Sequence, residues 1–164
     1  MRSALIMVAL ALVTPGLSAD TRRVEVDDKA DFATFKTFVL REGQATSRKP
    51  EINSALTLKT IEDAIRAELS ARGLKETQTG PDLIVTFRVA EESQRQVTGR
   101  GARDMRAVNI SAGTLVIDMT TATANALVWR GTYADDESSA ATLAKNLPKD
   151  AKKLLSEFPP KKKR

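Results

Sequence analysis

The chain contains no cysteine and no histidine among its 164 residues. Without cysteine it has no disulfide, no thiolate ligand for zinc and no thiol nucleophile. Without histidine it has no serine–histidine nucleophile pair and no imidazole ligand for a metal ion. These absences exclude the commonest hydrolase and metalloenzyme sites, and they leave a mechanism built on paired carboxylates as the enzymatic alternative.

Aromatic residues are scarce, and the excess of positive charge does not belong to the body of the chain. Aromatics make up 4% of the sequence, and none lies between Phe87 and Trp129. Five of the 26 basic residues are Arg2 and residues 161–164, so the rest equal the 21 acidic residues in number. Nucleic-acid recognition combines basic stretches with interleaved aromatics. The sequence therefore predicts no nucleic-acid partner.

The first 19 residues have the organisation of a secretory signal peptide. Arg2 precedes ten uninterrupted apolar residues at 4–13, and a Pro-Gly pair and small residues follow. Ten residues span only half of the ~30 Å hydrocarbon core, so this segment is too short to be a membrane helix. Cleavage is expected after Ser18 or Ala19. The mature chain is predicted to be periplasmic or otherwise exported, without a transmembrane segment and without the cysteine that anchors a lipoprotein.

Residues 20–160 are predicted to form one domain, and residues 161–164 a basic tail. Alternating apolar positions predict strands at 21–27, 37–40, 75–79, 83–89, 113–120 and 126–133. Residues 41–50 are expected to form a loop, and residues 91–106 to prolong the preceding strand through Val97 and then to loop. Apolar residues spaced by three and four predict helices at 54–72 and 140–158. These elements favour a two-layer α+β sandwich, an antiparallel-rich sheet with both helices on one face.

The ends of the two helices are marked by particular residues. Asn53 or Ser54 is suited to cap the first helix, and Gly73 follows its last turn in the position that tolerates positive φ. Leu74 is then placed to contact Leu69, as in a Schellman ending. In the second helix Pro148 removes a backbone donor, so the helix either kinks or restarts there.

The clearest predicted unit is a hairpin of residues 113–120 and 126–133. Pairing Thr120 with Ala126 would place Leu127, Trp129, Ile117 and Met119 on the core face. Trp129 is accordingly interpreted as a core residue rather than as a platform for a stacked ligand. On the opposite face Asp118 and Arg130 are close enough for a cross-strand ion pair.

A surface for a partner is predicted on that opposite face of the sheet. It comprises Ile84, Arg88, Val116, Asp118, Val128 and Arg130. Apolar residues rimmed by charge are typical of partner sites, although long flanking side chains could equally cover this face. The tail of Lys161, Lys162, Lys163 and Arg164 is either solvated or contacts an anionic envelope surface.

Three further groups of residues contain side chains that could form a chemical site. Asp118 with Asp135 or Glu137 is the carboxylate pair that a periplasmic hydrolase would use. Asp135-Asp136-Glu137 is interpreted as an acidic segment before the N-terminus of the second helix, where the helix dipole favours negative charge. A metal site is disfavoured, because consecutive residues rarely converge on one ion. Gly99-Arg100-Gly101 and its neighbouring arginines favour a surface loop over an anion cradle, since no helix follows. No metal or other cofactor is predicted.

The sequence resembles a bacterial envelope family catalogued as domain of unknown function 4136. The resemblance spans about residues 22–160 and lies in segments that occur in the family's order: DFATFKTF (31–38), AELSARGL (67–74), PDLIVTF (81–87), GTLVID (113–118) with LVWRGT (127–132), and LLSEFPP (154–160). Many relatives resemble lipoproteins, whose cysteine this chain lacks. The resemblance implies the fold and an envelope location and carries no activity. The function predicted is a non-catalytic periplasmic or cell-envelope module that binds a protein partner or the envelope surface.

Overall fold

The computed structural model describes residues 21–98, 106–135 and 139–160, without the side chains of 93–98 and 106–111. Seven strands and two helices are present in this part of the chain. They are β1 Thr21–Val26, β2 Thr37–Leu40, β3 Gln44–Thr46, α1 Ala55–Ala71, β4 Lys75–Glu76, β5 Leu83–Thr98, β6 Arg106–Thr121, β7 Leu127–Asp135 and α2 Ala140–Leu155. The predicted signal peptide and the basic tail lie outside the described residues.

The strands form one mixed sheet in the order β1-β7-β6-β5-β2-β4, with β3 also paired to β5. The pairs β1–β7, β7–β6 and β6–β5 are antiparallel, whereas β5–β2, β2–β4 and β3–β5 are parallel. The domain is therefore α+β, but the prediction of an antiparallel-rich sheet was wrong. Alternation along a strand reports which face is buried and carries no information on strand direction.

Two strand boundaries also differ from those predicted. β5 and β6 are each sixteen residues long and pair along their whole length, from Leu83 opposite Thr121 to Thr98 opposite Arg106. Residues 107–112, left between the predicted loop and hairpin, thus belong to β6. Residues 41–50, also predicted as a loop, contain β3. Residues 41–50 are mostly polar, and long-range backbone pairing overrides their weak strand preference.

The β6–β7 register differs by two residues from the predicted one. Trp129 lies opposite Met119, and a bulge follows because the next pair is Thr120 with Leu127. The extra residue is Val128, which is 3% exposed, whereas Leu127 is 41% exposed. The prediction that Leu127 faces the core was wrong, since a bulge breaks the two-residue alternation of a strand.

Helix α1 begins and ends as its sequence predicts. Ser54 is the cap, and its hydroxyl accepts a hydrogen bond from the Thr57 amide at 3.1 Å. Gly73 has a φ of +86°, and the Leu74 amide donates to the Leu69 carbonyl at 3.1 Å. This is the Schellman pattern.

Helix α2 is continuous through Pro148, so it does not restart there. Its cap is Ser139, which accepts from the Thr142 amide at 3.1 Å. The helix ends at Leu155, three residues earlier than predicted. Within the described ranges, no helix is long and apolar enough to cross a membrane.

The hydrophobic core contains residues of both helices and of the sheet. α2 packs against α1, β6 and β7. Its Leu143 occupies the space above Gly113, and its Leu154 lies over Gly131. The largest side chains that are almost fully buried include Phe38, Phe87, Ile61, Ile65, Leu115, Ile117 and Trp129. Trp129 is thus a core residue, as predicted.

Candidate functional site

The sheet face opposite the core, here called the outer face, carries most of the predicted partner surface. Asp118 on β6 lies between Arg130 on β7 and Thr86 on β5. One row further along the strands, Val116 lies opposite Arg88. Ile84, Val116 and Arg130 are half-buried and Arg88 is exposed. The structure therefore brings five of the six predicted residues together.

Val128 does not belong to this surface, contrary to the prediction. Because it is the bulged residue of β7, its side chain is packed within the hydrophobic core. We therefore define the outer-face patch as Ile84, Arg88, Val116, Asp118 and Arg130.

Asp118 is the centre of a charge cluster on the patch. Arg130 donates from Nε to Asp118 Oδ1 at 2.6 Å and from a terminal nitrogen to Oδ2 at 2.8 Å. Arg88 adds a longer bond of 3.4 Å to Oδ2. The hydrogen bond that Arg130 donates to Asp118 raises the pKa of Arg130, against the opposing effect of its partial burial. The predicted ion pair therefore forms, in the bidentate geometry that arginine and carboxylate favour.

Asp118 and Asp135, one of the carboxylate pairs suggested for a hydrolase, do not come together in the structure. Asp135 lies opposite Gly113, which is on the core face below Leu143, whereas Asp118 is on the outer face. The two positions are five residues apart along β6, or about 17 Å. Both oxygens of Asp118 already accept from guanidinium groups. The prediction of an Asp118–Asp135 pair is wrong, and Glu137 lies outside the described residues.

The other two candidate groups are only partly described. Asp135 is buried at the end of β7, and residues 136–138 lie outside the description. No three carboxylates in the described ranges are arranged to hold a metal ion. The Gly99-Arg100-Gly101 segment also lies outside them. Arg106 is the first residue of β6 and Arg95 lies within β5, so neither belongs to a loop.

Asp82, which the sequence reasoning did not single out, joins two of the family-like segments. One of its carboxylate oxygens accepts from the Lys36 amide, the Thr37 amide and the Thr37 hydroxyl, each at 2.8 Å. In return the Asp82 amide donates to the Thr37 hydroxyl at 3.0 Å. These hydrogen bonds, that from Lys36 first, lower the pKa of Asp82. The sequence does give one indication of this link, because Lys36-Thr37 and Pro81-Asp82 both lie in segments that carry the family resemblance.

A chain of aromatic rings joins three of those segments. Phe35 contacts Phe32, Phe32 contacts Phe158, and Phe158 contacts Trp129, with ring centroids 5.8 to 5.9 Å apart in edge-to-face geometry. Arg72 at the end of α1 also donates to the Phe158 carbonyl at 2.6 Å. The residues that carry the resemblance thus hold the fold together and do not converge on a reactive centre.

A lysine on α2 contacts a tyrosine on β7. Lys153 Nζ donates to the Tyr133 hydroxyl at 2.6 Å and lies 3.2 Å from Asp150 Oδ1. The hydrogen bond to Tyr133 and the charge of Asp150 raise the pKa of Lys153. A lysine held in its charged form is unsuited to act as a general base or a nucleophile.

A cleft of about 1310 Å³ separates β1 and the chain that follows it from the end of α2. Val24, Val26 and Phe32 give it an apolar side. Its carboxylates are Asp27, Asp28, Asp31 and Glu157. Glu157 is paired with Arg22 at 2.8 Å. Asp27 and Asp31 accept hydrogen bonds from amides two residues further along the chain. Asp27 and Asp31 thus stabilise the local backbone, and Glu157 joins the end of α2 to β1.

The fold and the outer-face patch define a class of protein: an α+β domain of two helices and a seven-stranded mixed sheet with a charged, partly apolar sheet face. Within that class, the chain belongs to the family described as domain of unknown function (DUF4136), which matches residues 22–160. The resemblance in the sequence is thereby confirmed. No curated protein matches the chain.

Solved structures share this fold at low sequence identity. A DUF4136 family protein from Bacteroides thetaiotaomicron is 14% identical, with a TM-score of 0.60 over 85% of this chain and 96% of that one. A PDZ domain protein from Parabacteroides distasonis is also 14% identical with a TM-score of 0.60, over 88% of this chain but only 37% of that protein. The PelC dodecamer from Paraburkholderia phytofirmans is 15% identical, with a TM-score of 0.54 over 84% and 96%.

Proposed function

We propose that this protein is a non-catalytic module of the bacterial cell envelope, exported by residues 1–19, that binds a protein partner through its outer-face patch. Both helices are inferred to cover the core face of the sheet. The basic tail is proposed to add a contact with an anionic envelope surface. Membership of a family of unknown function is compatible with this role and assigns no activity.

The composition of the outer-face patch carries the proposal. Two β-branched residues, Ile84 and Val116, are only half-buried beside a carboxylate that two arginines hold. The Arg88 side chain is 54% exposed, and its contact with Asp118 is a long one of 3.4 Å. Apolar surface rimmed by charge is typical of partner sites, and an exposed arginine is a frequent contributor to their affinity.

The proposal is tested by site-specific photo-crosslinking in the native envelope. A photoreactive amino acid in place of Val116 should yield a covalent adduct of one defined mass. Leu56, which is 73% exposed on α1, provides the control position on the helical side. Introducing Arg88→Glu into the Val116 variant should reduce the adduct, because it reverses the exposed charge on the patch.

Two results would contradict this function. One is a Val116 variant that is folded and exported but forms no adduct. The other is an adduct that forms equally well from Leu56 or is unchanged by Arg88→Glu. Circular dichroism of each purified variant separates a loss of binding from a loss of folding.

A further inference from the structure

Three lysines form a stripe along the exposed side of α2. Lys145, Lys149 and Lys152 are all exposed. Since an α-helix has about 3.6 residues per turn, they fall within about 60° of one another around the helix axis. On the opposite side of the helix, Leu143 and Leu154 are buried in the core. We call these three lysines the lysine stripe, which lies on the side of α2 that faces away from the core.

The charge of the lysine stripe is not compensated, in contrast to that of the basic residues on α1. On α1, Lys59 pairs with Asp63, and Arg66 pairs with Glu62. The one carboxylate of α2, Asp150, is buried on the side of the core. Within the part of the chain that the structure describes, no stripe lysine has a salt bridge or a side-chain hydrogen bond. The stripe therefore presents positive charge that is available to an anionic surface.

We propose that the lysine stripe docks on the anionic phospholipid surface of a membrane, together with the basic tail. This inference deepens the proposed envelope contact and rests on it. α2 ends at Leu155, and the tail at 161–164 follows after residues 156–160. Stripe and tail are thus two basic groups close together in the sequence, one with three residues and one with four. Clusters of about four to eight lysines and arginines are typical of contact with anionic lipid headgroups.

The chemistry of lysine favours a lipid surface over a protein as the occupant. The centres of protein interfaces are depleted of lysine and enriched in arginine and aromatic residues, and α2 contains neither arginine nor an aromatic residue. The lysine ammonium group is a compact point charge without the fixed fork of arginine, which suits a fluid surface of phosphates. Because the apolar side of α2 is buried in the core, the helix stays at the level of the headgroups. The contact is then electrostatic and is weakened by salt.

This contact also orients the domain on the membrane. Leu143 and Leu154 of α2 lie against Gly113 and Gly131, on the face of the sheet opposite the outer face. With the lysine stripe on the lipid, the outer-face patch points away from the membrane. The exposed Arg88 then stays open to a protein partner.

Co-sedimentation of the exported full-length gene product with phosphatidylglycerol vesicles at low salt tests the lysine stripe. The stripe variant combines Lys145→Gln, Lys149→Gln and Lys152→Gln. It should bind about 100-fold more weakly than the wild-type protein, since each lysine near an anionic surface contributes a factor of about five. The matched control combines Lys36→Gln, Lys75→Gln and Arg88→Gln. It makes the same change of net charge at exposed residues outside the helices and should bind almost as tightly as the wild-type protein.

Quenching of a fluorophore by nitroxide-labelled lipid measures the orientation. Because the chain has no cysteine, one introduced cysteine carries the only label. Ser156→Cys places the label directly after α2, one turn beyond Lys152, and Ala90→Cys places it on the outer face beside Arg88. Quenching should be stronger at 156 than at 90.

A stripe variant that binds the vesicles as tightly as the wild-type protein overturns the proposal, as does an equal loss in the control variant. Equal quenching at the two labels also overturns it. A stripe variant that keeps its vesicle affinity and loses a cross-linked protein shows that the occupant is a protein, which again overturns the proposal. Each of these results leaves the adduct from Val116 to be read separately, so the proposed partner site can stand when the stripe fails. Unchanged circular dichroism shows that the variants are folded.

Discussion

Asp82 and Thr37 illustrate how single residues of the family-like segments act in this protein. The Asp82 carboxylate accepts hydrogen bonds from two backbone amides and a hydroxyl, and it lies between the start of β2 and the start of β5. Since β2 and β5 are parallel neighbours, the carboxylate holds the ends of both strands in register. Asp82 lies in a segment that carries the family resemblance, and its role here is structural because it joins β2 to β5.

The lowered pKa of Asp82 predicts a pH-dependent stability. In the unfolded chain the group titrates near its ordinary value of 3.8, and in the folded chain it titrates lower. The contribution of Asp82 to the free energy of unfolding is therefore complete when the pH is above the ordinary pKa. It is lost as the pH falls through the lower pKa of the folded state. Asp82→Asn should lower the free energy of unfolding by about 1–3 kcal/mol at pH 7. Urea unfolding should show this difference shrinking as the medium is acidified.

The exposed Asp28 provides the control for this experiment. Asp28→Asn makes the same chemical change at a carboxylate that does not accept three hydrogen bonds, so its effect at pH 7 should be within about 0.5 kcal/mol of zero. An Asp82→Asn effect that does not decrease with acidification would show that the carboxylate does not hold this junction.

Asp118 shows why a cluster of charges need not be a reactive site. Its side chain is almost buried, and the bidentate contact with Arg130 together with the bond from Arg88 occupies both oxygens. A buried carboxylate that is fully hydrogen-bonded orients its neighbours and is unavailable as a base. Of the three charged residues in this cluster, Arg88 is the exposed one and is accessible to a partner.

At the scale of elements, the approach of α2 to the sheet depends on glycine. A Cβ atom at Gly113 would overlap the side chain of Leu143, and one at Gly131 would meet Trp129 and Leu154. Two glycines on neighbouring strands thus create the space in which α2 lies. Helix and strand patterns predict both elements, but they do not report this close contact.

Gly113→Ala should lower the free energy of unfolding by about 1–3 kcal/mol, because the methyl group displaces Leu143 from a closely packed core. In a Leu143→Ala background the same change should cost nothing or be favourable, since the methyl group enters the space left by the leucine. Chemical denaturation of the two single variants and the double variant measures this coupling.

Gly73→Ala is the matched control for the Gly113→Ala and Leu143→Ala double-mutant cycle. Its cost of about 1–2 kcal/mol comes from the positive φ, and no atom lies within 4 Å of an added Cβ. It should therefore add independently to Leu143→Ala. If Gly113→Ala were also additive with Leu143→Ala, the contact between α2 and β6 would not be as the structure shows.

At the scale of the whole molecule, the positive charge is concentrated at the ends of the chain. Four of the basic residues are 161–164, which directly follow Pro160, whereas residues 20–160 contain equal numbers of basic and acidic residues. Such a tail attracts anionic surfaces with about 1 kcal/mol per basic residue, and salt screens the attraction over ~8 Å at physiological ionic strength.

Deleting residues 161–164 should weaken binding to vesicles that contain anionic phospholipid by about two to three orders of magnitude at low salt. Co-sedimentation with phosphatidylglycerol vesicles measures the affinity, and neutral phosphatidylcholine vesicles provide the lipid control. Replacing the three lysines by arginine preserves the charge and should preserve binding. Affinity that is insensitive to both salt and the deletion would rule out a role for the tail at the membrane surface.

The sequence alone determined the features that depend on neighbouring residues. The cap and Schellman ending of α1 follow from Ser54 and Gly73, because these interactions span only a few positions. The burial of Trp129 and the cross-strand placement of Asp118 and Arg130 follow from alternation within the hairpin. Family membership likewise follows from short segments in a characteristic order.

The tertiary structure decided what depends on residues far apart in the chain. Strand direction, the bulge that buries Val128, the pairing of β3 and the length of the β5–β6 hairpin are set by backbone hydrogen bonds between strands, which the side-chain pattern does not encode. The same holds for the candidate site. Only the folded sheet shows that Asp118 faces away from Asp135 and that Arg88 completes the cluster, because the face a residue occupies depends on its strand's partners as well as on its own sequence.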